Sequence, residues 1–92
     1  MYSREVYITI EYLQNLEKSI NVTQLEQWSY SKWATKEILA RLFKNERISP
    51  YAVIDDFIDA MNKYSSDEKH SYLFSVAKDV AEDIKYLWLK GE

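Results

Sequence analysis

The chain has 92 residues, 47% of them apolar and 15% aromatic, with one glycine, one proline, no cysteine and a formal net charge of −3. That length gives a single domain, 1–92, with a thin stability margin. The composition excludes a disordered chain, a Gly- and Pro-rich sandwich or barrel, a disulfide framework, a thiolate metal site and a cysteine nucleophile.

Val6, Ile10, Leu13, Leu16 and Ile20 recur at helical spacing and predict a first helix from about Ser3 to Ser19. Within it "VYITI" has the composition of a strand. No second strand-like run exists to pair with it, and a lone strand leaves its backbone groups unpaired. The same opening is interrupted by Thr9 and Glu11 and lacks the cleavage site of a signal peptide. No run approaches the ~18–20 apolar residues of a membrane span, so the expected location is cytoplasmic.

"NVTQLEQW" signals the next helix, with Thr23 as the N-cap and Glu26 three residues later. A stripe through Leu25 and Trp28 would next meet Lys32 and Thr35, both polar. A stripe traced back from Leu42 and Ile38 runs through Ala34 and Tyr30. The two differ in phase, so the segment either bends or divides into two helices between Ser31 and Thr35. In "QWSYSKW", Trp28 and Trp33 lie about 140° apart on one ideal helix. Trp28 is expected in the core and Trp33 at a partly exposed contact.

Ser49 and Pro50 mark the clearest helix start, with Ile48 placed to staple onto Val53. Val53, Ile54, Phe57, Ile58 and Met61 form the buried stripe. Asp55, Asp56 and Asp59 fall in its first two to three turns, where the dipole favours negative charge. The last helix is expected to follow Ser65 or Ser66, with Glu68 completing a capping box. Leu73, Ala77, Val80, Ile84, Leu87 and Trp88 give its stripe, and Gly91 is a plausible stop. The fold is all-α, a compact four- to five-helix bundle.

The chemistry-bearing residues are sparse. There is one histidine, His70, and no Glu-x-x-His pair of the kind that holds di-iron in bundles. Neither Asp55, Asp56 and Asp59 nor Asp79, Glu82 and Asp83 has the spacing of an EF-hand loop. Phosphate loops need glycines that the chain lacks. No catalytic, cofactor-binding or metal residues are therefore expected, and the chain reads as a non-enzyme. The "NVT" acceptor pattern at Asn21 reads as chance.

Charge is unevenly spread. Residues 1–31 carry 2 basic and 4 acidic groups, 32–47 carry 5 and 2, and 48–92 carry 5 and 9. Lys32, Lys36, Arg41, Lys44 and Arg47 could contact phosphates, which makes a nucleic-acid-binding domain one alternative, though the acidic flanks disfavour it. The aromatic content points elsewhere, once Phe43, Phe57, Phe74 and Trp88 are assigned by default to filling the core. Tyr2, Tyr7, Tyr12, Tyr51, Tyr64, Tyr72 and Tyr86 lie partly off the stripes, and Tyr and Trp are enriched at protein–protein interfaces.

The segment "YLQNLEKSINVTQLEQW", through Leu13, Leu16, Ile20, Thr23, Leu25 and Trp28, resembles the opening of small helical bacterial immunity proteins of the colicin D type. The resemblance covers about the first third of the chain. It implies a protein that blocks a basic toxin nuclease through an acidic surface, a role Asp55, Asp56, Asp59, Asp79, Glu82 and Asp83 would fill here. The expected function is a non-catalytic protein-interaction domain, with toxin immunity its most concrete form and Trp33 and Tyr30 as further contacts. The other alternative is a homo-oligomeric structural or regulatory domain.

Overall fold

The computed structural model describes residues 2–91. Its first helix, α1, spans Arg4–Lys18. Ser3 caps it by accepting the Val6 N–H at 3.4 Å. A 3₁₀ turn, Val22–Gln24, leads into α2, Leu25–Lys44. α3 covers Pro50–Tyr64 and α4 covers Ser71–Lys90. No strand occurs among the described residues, and "VYITI" is helical. The all-α bundle read from periodicity is the architecture.

α2 is one unbroken helix of 20 residues, so the phase change at Ser31–Thr35 is not a junction. Thr35 is fully buried and its hydroxyl donates to the Ser31 carbonyl at 2.8 Å. Its one polar atom is thus satisfied within the helix, and the residue can face the core. The Lys32 ammonium lies 4.6 Å from the Trp28 ring centroid. A long side chain can cover apolar surface in this way while its charge stays wet. The Trp28 stripe therefore continues through Lys32 and Thr35.

Two caps differ from expectation. Asn21, not Thr23, opens the second helical segment: its Oδ1 accepts the N–H groups of Thr23 and Gln24 at 3.2 and 3.1 Å. A side-chain carbonyl two residues from an orphan N–H reaches it with little strain, and Thr23 instead donates its hydroxyl to the same oxygen. Likewise Ser65 ends α3, its N–H bonded to the Met61 carbonyl, and α4 starts only at Ser71. Asp67 holds the intervening turn. Its Oδ1 accepts the Lys69 N–H at 3.1 Å and its Oδ2 lies 3.2 Å from His70 Nδ1.

That geometry carries a titration signature. The His70 hydrogen bond, then the Lys69 amide, hold the Asp67 carboxyl below its ordinary value. Because the folded value is depressed, the associated stabilisation is present above the unfolded value and fades as pH falls through the folded one. A carboxyl-resolved NMR titration should show Asp67 ionising at a lower pH than ordinary aspartates, and His70→Ala should move it back up. An Asp67 midpoint indifferent to His70→Ala would remove the contact.

The core draws on all four helices. α2 and α4 pack against each other and each also contacts α1 and α3, while α1 and α3 barely touch. Ala34, Ala77 and Ala81 are fully buried on the inner faces of the central pair. Trp88, 0% exposed, donates its indole N–H to Thr9 Oγ1 at 3.0 Å. Thr9 passes the chain on by donating to the Glu5 carbonyl at 2.7 Å. The Tyr51 ring meets the Trp88 indole edge-on, with centroids 5.5 Å apart. Among the described residues no buried side-chain nitrogen or oxygen lacks a partner.

Arg4 closes the bundle by donating to the carbonyls of Gly91 at 2.6 Å and Trp88 at 2.8 Å. These are carbonyls that the end of α4 leaves without helical partners. Gly91 has an ordinary φ of −71°, so its role is close approach. A Cβ there would sit 2.8 Å from the Leu87 carbonyl oxygen and 3.1 Å from the Arg4 guanidinium.

Several expected core residues are outside it. Trp28 is half-buried, its indole N–H donating to the Leu16 carbonyl at 2.7 Å. Ile20 and Leu25 are exposed because α1 ends at Lys18 and the 3₁₀ turn intervenes before the inner face of α2 resumes. Phe43 and Leu87 are exposed as well. Phe43 follows buried Leu42 by one residue, about 100° round the helix, which carries it off the inner face.

Candidate protein-interaction surface

Among the described residues three depressions meet at the corner where α2 passes into α3, and another, of about 210 Å³, lies apart from it at the α1–α2 turn between Leu16, Asn21, Gln24 and Trp28. A cleft of about 370 Å³ runs between the start of α1 and this corner, with Tyr2, Val6, Leu42, Ile48 and Pro50 as its apolar lining and Asn45, Glu46 and Arg47 at the loop. A depression of about 330 Å³ adjoins it, formed by Phe43 to Ile48. A third, about 90 Å³, lies between Arg41, Asn45, Ile48, Val53 and Asp56. Asn45 and Ile48 border all three.

The corner is built by local sequence. α2 stops at Lys44, and the Asn45 N–H bonds the Arg41 carbonyl at 3.1 Å. The Asn45 side chain donates to the same carbonyl at 2.8 Å. The Ile48 N–H returns to the Asn45 carbonyl at 3.0 Å, which makes a tight turn. Ser49 then caps α3, accepting the Tyr51 N–H at 3.3 Å, with Pro50 at the first helical position. The turn leaves Ile48 50% exposed, and the neighbouring Tyr2 and Phe43 rings touch at 4.9 Å while both remain exposed. Apolar area of this kind, rimmed by the charged Lys44, Glu46 and Arg47, is the usual composition of a docking surface.

The residues singled out from sequence are placed elsewhere and apart. Trp33 is 38% exposed on the outer side of α2, as its phase predicts. Tyr30, three residues before it, is half-buried and meets Tyr72 edge-on at 5.8 Å. The six carboxylates do not gather on one plate. Asp55 points across to α4, where Lys85 donates to it at 2.7 Å. Asp56 lines the small depression with Arg41, towards α2. Asp59 and Asp79 are exposed and have no ion pair among the described residues, and Glu82 lies 4.0 Å from Lys78. Asp83 is close enough to Tyr12 to add to the upward push that burial gives the phenol.

The basic segment is also divided. Lys32 is committed to Trp28, and the Arg41 guanidinium carbon lies 5.1 Å from the Phe57 ring centroid. Lys36, Lys44 and Arg47 are the exposed remainder. Sequence reasoning missed Phe43 and Ile48 as surface residues by assigning them to core and staple. The 100° step from Leu42 was the available signal for Phe43, while the loop geometry exposing Ile48 had none.

No helix among the described residues is long and apolar enough to cross a membrane. The described residues hold no group of three or more His, Cys, Asp or Glu arranged to bind a metal ion. In comparisons with known proteins, no family model, no curated protein and no solved structure matches this chain. The class defined by the coordinates is a small all-α bundle with a cleft at one corner.

Proposed function

We propose that this chain is a non-catalytic helical module that works by binding another protein, with the α2–α3 corner as its docking element. The observation that carries the reading is the coincidence of three depressions with exposed Tyr2, Phe43 and Ile48 at one place. Large apolar side chains beside a concave surface offer a partner both area to bury and a shape to fit. A second reading, a toxin-immunity-like module that blocks a basic partner, draws support from the exposed carboxylates of Asp56 and Asp59 on α3. Complementary charge there would speed encounter with such a partner.

One experiment separates these readings: affinity capture from native-host lysate with the unaltered chain and three variants, compared by mass spectrometry. A protein retained by the unaltered chain and lost on Arg47→Glu/Ile48→Glu is the expected result. Loss confined to Asp59→Lys would move the site to the exposed carboxylates of α3 beyond the corner and favour the immunity reading. Loss confined to Trp33→Ala would place the site on the outer side of α2 and overturn the corner as the docking element.

A further inference from the structure

The geometry points to a second copy of this chain as an occupant of the α2–α3 corner, seated by the outer stripe of α4. This inference rests on the reading of the corner as a docking surface and names a partner for it. Asp79, Glu82, Tyr86 and Leu89 follow one another at spacings of three, four and three along α4 and therefore share one helix face. Tyr86 and Leu89 are large side chains, each 60% exposed, and the Lys90 ammonium lies 5.7 Å from the Tyr86 ring centroid. Two carboxylates precede them on the same face. The corner presents exposed apolar Phe43 and Ile48 beside the exposed cations Lys44 and Arg47, with the carboxylate of Glu46 between them, which leaves its rim net positive. Apolar side chains would enter the cleft while Asp79 and Glu82 meet the cations, which fixes register through charge.

A chain cannot fill its own corner in this way, because the stripe lies on the side of α4 turned away from the bundle. Two copies can. The corner and the apolar end of the stripe both lie at the end of the bundle where α1 begins. There Tyr2 reaches Phe43 and Arg4 binds the last carbonyls of α4. The accessible surface of the whole chain is 6210 Å². A standard interface takes roughly 800 Å² from each partner, about an eighth of that surface, and a contact between one corner and one helix stripe is taken to be of the smaller, reversible class. Its charged component makes it weaken as salt rises.

The test is sedimentation of the full chain across a wide concentration range at low and at high salt. The expected result is a sedimentation coefficient that climbs with concentration at low salt and climbs less at high salt. Arg47→Glu/Ile48→Glu and Tyr86→Lys/Leu89→Lys should each lower the association constant by roughly tenfold or more. All four positions are exposed, including the cleft-lining Arg47 and Ile48, and circular dichroism checks that each variant is folded. Mixing the two variants should restore a 1:1 complex that neither forms with itself. In the mixture one unaltered corner meets one unaltered stripe, and any contact between the altered pair joins glutamate to lysine. A monomer at every concentration, variants that associate like the unaltered chain, or a mixture that stays monomeric would each overturn the inference. If a host protein is still lost on the corner variant in the capture experiment, the docking reading survives that failure.

Discussion

Trp88→Ala is expected to lower the unfolding free energy by about 3–5 kcal/mol, the range for emptying a buried aromatic site. Small domains sit near the lower part of the ~5–15 kcal/mol typical of folded proteins, so this one change removes a large share of the total. At ~4–8 °C per kcal/mol for a domain of this size, the midpoint should fall by tens of degrees. Trp88 is fully buried, and its ring packs against Tyr51 from α3 while its indole N–H reaches Thr9 on α1. One side chain on α4 thus ties together two helices that barely touch each other. Denaturant titration followed by circular dichroism measures the loss, and a cost below ~1 kcal/mol would contradict the placement of Trp88.

The polar part of that contact can be separated from the volume. Trp88→Phe keeps an aromatic ring but removes the donor to Thr9 Oγ1. Thr9 still donates to the Glu5 carbonyl, so its hydroxyl retains one of its two partners. Adding Thr9→Val removes the remaining polar atom. Replacing both partners by apolar groups is the arrangement in which a lost hydrogen bond costs least. The double variant should therefore fall by less than the sum of the two single changes, since the residues share one network.

The helical stripes themselves were legible in the sequence. Val53, Ile54, Phe57 and Met61, and Ala77, Val80, Ile84 and Trp88, are buried where the 3.6-residue period puts them. Ser49–Pro50 marked the start of α3 because an N-cap followed by proline has few other uses. What escaped the period was the behaviour of polar residues that satisfy themselves locally. Thr35 and Thr9 are both buried because each donates to the carbonyl four residues earlier. A hydropathy reading treats such a threonine as a break in the stripe. The caps at Thr23 and Ser65 or Ser66 failed for a related reason. Several Ser, Thr, Asn and Asp residues compete at those turns, and Asn21 and Asp67 reach more N–H groups than their neighbours do.

The candidate surface was less legible than the fold. A docking corner is defined by where two helices stop relative to a third, which is tertiary information. Phe43 and Ile48 are ordinary core types in composition; helical phase turns Phe43 outward, and the end of α2 at Lys44 exposes Ile48 in the turn beyond it. The carboxylates were easy to find and hard to group. Asp55 and Asp56 are adjacent in sequence, yet one pairs with α4 and the other borders α2.

Phe57→Ala provides the complementary test, because it should damage stability and binding together. Phe57 is 1% exposed at the middle of α3, and Arg41 of α2 lies over its ring at 5.1 Å. Emptying the site should cost about 3–5 kcal/mol, whereas the better-filled Phe57→Leu should cost less than ~1.5 kcal/mol. Arg41→Ala alone should cost about 0.5–1 kcal/mol through the lost cation–π contact. In the Phe57→Leu background that increment should shrink, since the ring is gone. The consequence reaches the surface, because Pro50 and Val53 of α3 line the corner. A loosened α3 should therefore weaken capture of a partner as well as the fold, while Arg47→Glu/Ile48→Glu should weaken capture with little change in the melting midpoint. Finding the reverse pattern, intact capture by Phe57→Ala and a collapsed fold in the corner variant, would mean that the corner is a structural hinge and not a docking element.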